Sequence, residues 1–465
     1  MQCCLVLSRE AVSPPTRKRC HSISSNGAHA SPNVSPVSSG KGPLRAFAST
    51  QFRLFWGASL ISIIAFFMTM IARGWLVLDM TNSAFLVTAI NAVQMLPMLV
   101  FSLYGGVIAD RVNRRTVLIV SDGLGFLIIL ALAVLVLTET ILVWEVFALS
   151  ILHGVVFALG MPTRAATVSN LVSRQDIASG VALFTTIFSG GQLIGPAMAG
   201  YLITTFGMGF PFVASCITLV PAIGLLLALR IPAVQSTGQS ASRGSIIANI
   251  TEGLSYVRKD SILIGLMLMG LAATVFAMPY QSLLPVFARD VLNVGSSGLG
   301  WLGAMGGAGA IAGSITVAAF SSPRQMKILM LIGGIGLGVF IVLFAMSTVY
   351  LFSLALALLV GFLFQIFMTS NFATVQVISP DYIRGRVLSI RMVALGLGPF
   401  GMLILGASAE IFGPARATAT MGAISAVLIL GIIMAIPSLR RVDAALKEEP
   451  ATPAEEPKPS TATTS

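Results

Sequence analysis

The chain has 465 residues, 56% of them hydrophobic and only 10% charged, and its mean hydropathy is +0.92. No soluble globular domain has that composition, so an all-α membrane protein is expected. The formal net charge of +11 does not mark a nucleic-acid binder, because the basic residues flank apolar runs as they do at a lipid surface.

Residues 1–50 are rich in Ser, Pro and Ala, carry Arg17-Lys18-Arg19 and hold no apolar run, which rules out a secretory signal. Their composition predicts a disordered cytoplasmic leader, or a reading frame opened too early, with the basic triplet as an alternative lipid contact. Cys3, Cys4, Cys20 and Cys216 have no metal-type or redox spacing.

A crossing takes about 20 apolar residues. Twelve transmembrane helices are predicted on that basis, near 53–78, 84–109, 116–138, 142–162, 178–206, 209–230, 262–287, 298–320, 327–347, 350–371, 385–412 and 416–437. The first ends in Met70-Ile-Ala-Arg73-Gly-Trp75. There Arg73 either snorkels to the interface beside Trp75 or faces a cavity and reads an anionic substrate. Asn91, Gln94 and Pro97 interrupt the second.

Between the second and third runs stands Gly106-Val-Ile-Ala-Asp110-Arg111-Val-Asn-Arg114-Arg115. Each charge at the bilayer centre costs about 2.5–3.5 kcal/mol, so this segment is expected as a hairpin at the membrane surface. Gly106 and Asp110 are four apart and share a helix face. The segment resembles the signature of the major facilitator superfamily, the twelve-helix secondary transporters. Asn113 stands where that signature has a second glycine, and asparagine tolerates the left-handed backbone expected of such a turn. The resemblance implies that Gly106, Asp110, Arg111, Arg114 and Arg115 latch a cytoplasmic gate.

The fourth run contains Ser150-Ile-Leu-His153-Gly154. Proton antiporters of the superfamily commonly carry an arginine where this chain has Ser150. His153 is the only histidine inside a span, and its unperturbed pKa of about 6.5 suits a proton relay; the alternative is packing between helices. The fifth run reads Gly191-Gln-Leu-Ile-Gly195-Pro196-Ala-Met-Ala199-Gly200, which resembles the second half of the antiporter motif. Small residues four apart let helices approach closely, and Pro196 bends the helix. In the family that bend accompanies export.

Residues 232–260 are expected as a cytoplasmic linker. Pro232 to Ser245 is polar, and then Ile246, Ile247, Ile250, Leu254 and Val257 recur at helical spacing, opposite Asn249, Glu252 and Arg258. That pattern predicts an amphipathic helix on the inner surface. The second half repeats the first. Ala166-Thr-Val168 through Phe206-Gly207 recurs as Ala373-Thr-Val375 through Phe412-Gly413, at an offset of 207 falling to 206. Two pseudo-symmetric six-helix bundles are therefore expected, 51–231 and 261–440.

Asp381-Tyr-Ile-Arg384-Gly385-Arg386 opens the eleventh span. Its helix N-terminus would attract Asp110, with Arg164, Arg384 and Arg386 joining the cluster. Residues 441–465 turn to Glu, Pro, Thr and Ser and are expected as a disordered cytoplasmic tail. With both termini cytoplasmic, Arg73, Arg289 and Arg416 alone among the 28 Lys and Arg fall outside the inner side.

Across 51–440 the chain resembles the superfamily branch of bacterial enterobactin-type siderophore exporters and macrolide efflux proteins. The stretches FRLFWGASL, GWLVLDMTNSA, GGVIADRVNRR and PDYIRGRVLSI carry that resemblance. It implies proton-driven export of a small amphipathic or anionic molecule by alternating access across a bacterial inner membrane, by a monomer with no cofactor. The cavity would be lined by spans 1, 4, 7 and 10. Lining candidates by polarity or aromaticity are Thr69, Arg73, His153, Tyr280, Gln281, Gln365 and Asn371, each accounted for more readily by helix packing than by substrate contact. No Walker A, HExxH or Ser/His/Asp pattern points to a nucleotide-driven pump or a membrane enzyme. The alternatives are a proton-coupled importer of a small metabolite and a non-transporting membrane sensor.

Overall fold

Hydrocarbon offers backbone groups no water, so each apolar run must close its own hydrogen bonds as helix. The computed structural model describes residues 45–111, 113–230, 246–320 and 322–441, with the side chains at 100–111, 174, 178, 246–251, 323, 381–382 and 440–441 outside the description. Residues 1–44 of the expected leader, 442–465 of the expected tail and 232–245 of the linker lie outside the described residues, while the end of the leader is ordered, Arg45–Ala48 forming a 3-10 turn ahead of the first long helix.

The helices of the first part are α1 (Thr50–Thr81), α2 (Ala84–Arg111), α3 (Arg114–Leu137), α4 (Val143–Leu171), α5 (Ile177–Phe206) and α6 (Phe210–Ala228). The amphipathic α7 (Ile246–Lys259) follows. The next span, Ser261 to Val291, is not one regular helix. It runs as α8 (Ser261–Ala272), a π turn, a 3-10 turn, α9 (Leu284–Val286) and a second π turn. Pro279 and Pro285 lie in it, and each removes an N–H that a regular helix would use. Then come α10 (Gly295–Ala319), α11 (Pro323–Met346), α12 (Tyr350–Ile378), α13 (Asp381–Leu395), α14 (Gly398–Phe412) and α15 (Pro414–Ala435). The expected eleventh span is thus broken at Gly396-Leu397, just before Gly398-Pro399.

Among the described residues, eleven helical stretches are long and apolar enough to cross a membrane, and α2 adds the shorter apolar stretch Ala84–Leu99. Helix ends follow local chemistry. The Ser49 hydroxyl accepts the Phe52 N–H at 3.3 Å, and the Asp260 carboxylate accepts from Ile262 and Leu263. Asn113 departs from the expected left-handed turn: its φ is −58°, and its side chain accepts the Arg115 N–H at 3.0 Å as the cap of α3. The repeat is visible in the backbone, since Gly207 and Gly413 end α5 and α14 with φ of 102° and 87°. Only glycine enters that region without strain.

Within the first part α1 packs on α5 and α6, and α4 on α2 and α3; in the second α12 packs on α10 and α11, and α11 on α15. Two helix pairs make most of the contact between the parts, α5 with α10 and α2 with α14. The α5–α10 crossing is glycine on glycine: a Cβ on Gly200 would lie 2.7 Å from the Gly300 Cα, and one on Gly300 2.8 Å from the Pro196 carbonyl. Gly195 instead faces α1, where a Cβ would lie 2.7 Å from Phe67. Close approach of backbones is how membrane helices gain contact when lipid is as apolar as they are.

Candidate functional site

A cavity of about 50 Å³ lies within α1–α6, between α1, α3, α4 and α6. Ser62, Asp122, Gly125, His153, Phe157 and Arg164 are among its lining. Its charged end is a buried ion pair, Arg164 on α4 with Asp122 on α3. Asp122 also accepts from Ser62 Oγ at 2.7 Å, and Arg164 donates to Ser59 Oγ at 3.0 Å. At the other end His153 Nδ1 lies 3.4 Å from Gln94 Nε2, and its ring is 5.9 Å from that of Phe66.

This arrangement corrects the placement of Arg164. The fourth span was expected to stop at 162, but α4 continues to Leu171, so Arg164 is buried in the helix instead of lying in a surface cluster. The carboxylate of Asp122 makes that burial tolerable. Sequence reasoning passed over Asp122, although the signal was available. An aspartate inside one apolar run calls for a cation inside a neighbouring one.

Arg73 is likewise not at the interface. It is 1% exposed, donates from Nη1 to Ser150 Oγ at 3.1 Å and from Nε to the Thr69 carbonyl at 3.2 Å, and its Nη2 has no partner. The snorkelling expectation fails because Arg73 points between α1 and α4. The guanidinium that the α4 pattern lacks at Ser150 is delivered there from α1.

Of the other lining candidates, Tyr280 and Gln281 border a second cavity of about 20 Å³ with Gln192 and Pro196. Thr69 Oγ1 is satisfied by its own helix, donating to the Ala65 and Phe66 carbonyls, and Gln365 donates to Thr369. Asn371 is fully buried, donates to the Leu266 carbonyl at 3.0 Å and accepts from Arg391. Neither Thr69, Gln365 nor Asn371 lines either of these cavities.

The expected latch is described in part. Gly106, Asp110 and Arg111 fall on the last turns of α2, with their side chains outside the description. Arg114 donates to the Ala166 carbonyl near the end of α4 at 2.6 Å, and Arg115 to carbonyls of Leu226 and Leu227 at the end of α6. Cations suit helix C-termini. Arg384 serves α12 similarly, donating to the Gln376 and Ser379 carbonyls, while Arg386 pairs with Glu252 of α7.

At the opposite end, where α1 turns into α2, bonds join the two parts of the chain. The Glu410 carboxylate accepts the Phe85 N–H and Ser83 Oγ, Arg289 donates to the Leu78 carbonyl at 3.0 Å, and Thr204 and Ser296 hydroxyls lie 2.9 Å apart.

A helical membrane protein with polar cavities among its spans and a cross-linked end has the form of a small-molecule transporter. The structure resembles that of a mutant of the nucleoside transporter NupG at a TM-score of 0.66 and 14% identity, covering 83% of this chain and 100% of that one. It also resembles the inward-open xylose transporter XylE from E. coli at 0.63 and 16%, covering 85% and 99%. Residues 41–463 match the model of the transmembrane secretion effector family, and the chain belongs to that family of the major facilitator superfamily. It is 29% identical to the multidrug efflux pump Tap of Mycolicibacterium fortuitum over 82% of this chain and 94% of that one. It is 26% identical to the staphyloferrin A transporter of Staphylococcus aureus, over 80% and 92%. With the enterobactin exporter EntS of Shigella boydii it shares 25% over 82% and 90%. These relatives are transporters, not enzymes.

Proposed function

We propose that this transporter exports a small amphipathic or anionic molecule in exchange for protons, by alternating access. Twelve spans form two bundles, 51–231 and 261–440, joined by a cytoplasmic linker. The chain works as a monomer in a bacterial inner membrane with both termini inside. The observation that carries this reading is a cavity holding Asp122, Arg164 and His153 among α1–α6, while the far end is tied shut by Glu410 and Arg289. Such a cavity suits cargo that arrives from the basic side, where Arg114, Arg115, Arg384 and Arg386 lie. The efflux and siderophore relatives support export as the direction. Asp110 closes that basic mouth in the alternate state, and the Pro196 bend lets α5 follow.

The test is flux in everted membrane vesicles, with ethidium and an iron-free catecholate siderophore as cargo probes. Export appears as accumulation inside the vesicles that an imposed pH gradient drives and a protonophore abolishes. Accumulation in right-side-out vesicles instead assigns import, and no gradient-driven flux of either probe overturns the proposal for these classes. His153→Ala is expected to remove gradient-driven flux while sparing counterflow exchange. Retention of both marks His153 as packing.

A further inference from the structure

We infer that Asp122 is the residue on which the driving proton comes to rest, with His153 of the same cavity as the relay, and that the proton neutralises the carboxylate of its ion pair with Arg164. The inference rests on the proposed function and names its coupling site. Asp122 is the one carboxylate among the described residues that is buried, and it lines the larger cavity. It lies eight residues into α3, about 12 Å along the helix at 1.5 Å per residue. The charged and titratable groups facing it are Arg164 and His153, both from α4; α1 and α6 present Ser59, Ser62 and Leu219.

The hydrogen bonds are arranged for either protonation state. Ser62 has one hydroxyl proton and two acceptors within reach, Asp122 at 2.7 Å and the Ala58 carbonyl at 2.9 Å. When Asp122 is ionised, that proton points to the carboxylate. When Asp122 takes a proton from hydronium in the cavity, releasing water, its new O–H donates to Ser62 Oγ and the Ser62 proton turns to Ala58. Arg164 keeps its charge, its Nη1 bond to Ser59 and its Nη2 bond to the unprotonated oxygen of Asp122, so no donor is stranded. The site passes from net zero to one positive charge, and loss of the proton to water reverses the step.

The internal repeat argues against a purely structural ion pair. Counted on by 207 or 208 residues, close to the offset of 207 to 206 seen later in the chain, Ser59, Asp122 and Arg164 fall on Leu266, Met330 and Asn371. There the corresponding helices are joined without a carboxylate, Asn371 Nδ2 donating to the Leu266 carbonyl at 3.0 Å and lying 4.0 Å from Met330 Sδ, while its Oδ1 accepts from the buried Arg391 of α13. The architecture holds there without a buried carboxylate, so the acid at Asp122 is not required to join these helices.

The test is infrared difference spectroscopy between low and high pH on the full chain in lipid nanodiscs, with aspartate carboxyl-labelled by carbon-13. A protonated-carboxyl band of a dry site is expected on acidification, shifted by the label and absent in Asp122→Asn. In Asp122→Glu, which keeps the charge should the asparagine variant misfold, the band persists and loses its sensitivity to labelled aspartate. A label-sensitive band that survives unchanged in these variants overturns the inference, as does its absence from the parent. The spectrum reads the proton whether or not cargo moves. Gradient-driven flux without this band therefore sinks the inference alone, whereas absence of flux sinks the proposed function.

Discussion

Glu410 of α14 accepts the backbone N–H of Phe85 at 3.0 Å, placing a carboxylate from the second part of the chain on the first turn of α2. The same carboxylate takes the Ser83 hydroxyl, and nearby Arg289 donates to Leu78 in the last turn of α1. An anion meets a helix N-terminus and a cation meets a C-terminus, so both contacts use the helix dipole with the favourable sign.

Glu410→Gln removes the charge and keeps the shape. An exposed carboxylate at a helix N-terminus contributes about 0.3–1 kcal/mol, so the ratio of closed to open forms at this end is expected to fall roughly two- to fivefold. Spin labels at Glu139 and Met346 report it as growth of a longer distance population. An unchanged distribution removes Glu410 from the latch.

The α5–α10 crossing is a stricter closure. A Cβ on Gly200 would lie 2.5 Å from the Ser296 carbonyl and 2.7 Å from the Gly300 Cα, both backbone atoms that cannot swing aside. Gly200→Val is therefore expected to hold the helices apart at this end while membrane insertion persists. A cysteine introduced at Thr204 then reacts with an impermeant maleimide when combined with Gly200→Val and stays unreactive when Gly200 is kept. Equal labelling in both shows that the end closes without this contact.

Apolar runs made the spans legible, because hydrocarbon forces helix wherever a run is long enough. The Phe206-Gly207 and Phe412-Gly413 turns were legible for the same kind of reason, each glycine having a positive φ that few other residues accept. Polar side chains were harder to read. Arg73, Arg164 and Asn371 each satisfy a donor on a partner distant in sequence, and a local pattern cannot say which partner that is. Asp122 was legible as a charge inside an apolar run, but its partner was not, since that cation lies forty-two positions downstream.

Arg73 separates function from stability. Its guanidinium is 1% exposed with one nitrogen unpartnered, an arrangement that disfavours the fold. Arg73→Met keeps most of the volume and removes the charge, so the thermal midpoint of the purified protein is expected to rise while flux falls. The pair of measurements is decisive. A midpoint that drops by several degrees makes Arg73 a structural donor to Ser150, and flux that holds removes it from the transport path.

The ion pair can be taken apart by using the second half of the chain as a guide. Asp122→Asn alone strands the Arg164 charge in a dry site, and breaking such a pair costs about 3–5 kcal/mol. Asp122→Met with Arg164→Asn instead installs the Met330 and Asn371 pair, which joins its helices without a carboxylate. The double variant is expected to recover most of the stability lost by the single one in denaturant or thermal unfolding. Gradient-driven flux is expected to stay absent in both, because neither retains an ionisable group at position 122. A double variant as unstable as the single one shows that the charges hold α3 to α4. Recovered flux places the proton elsewhere.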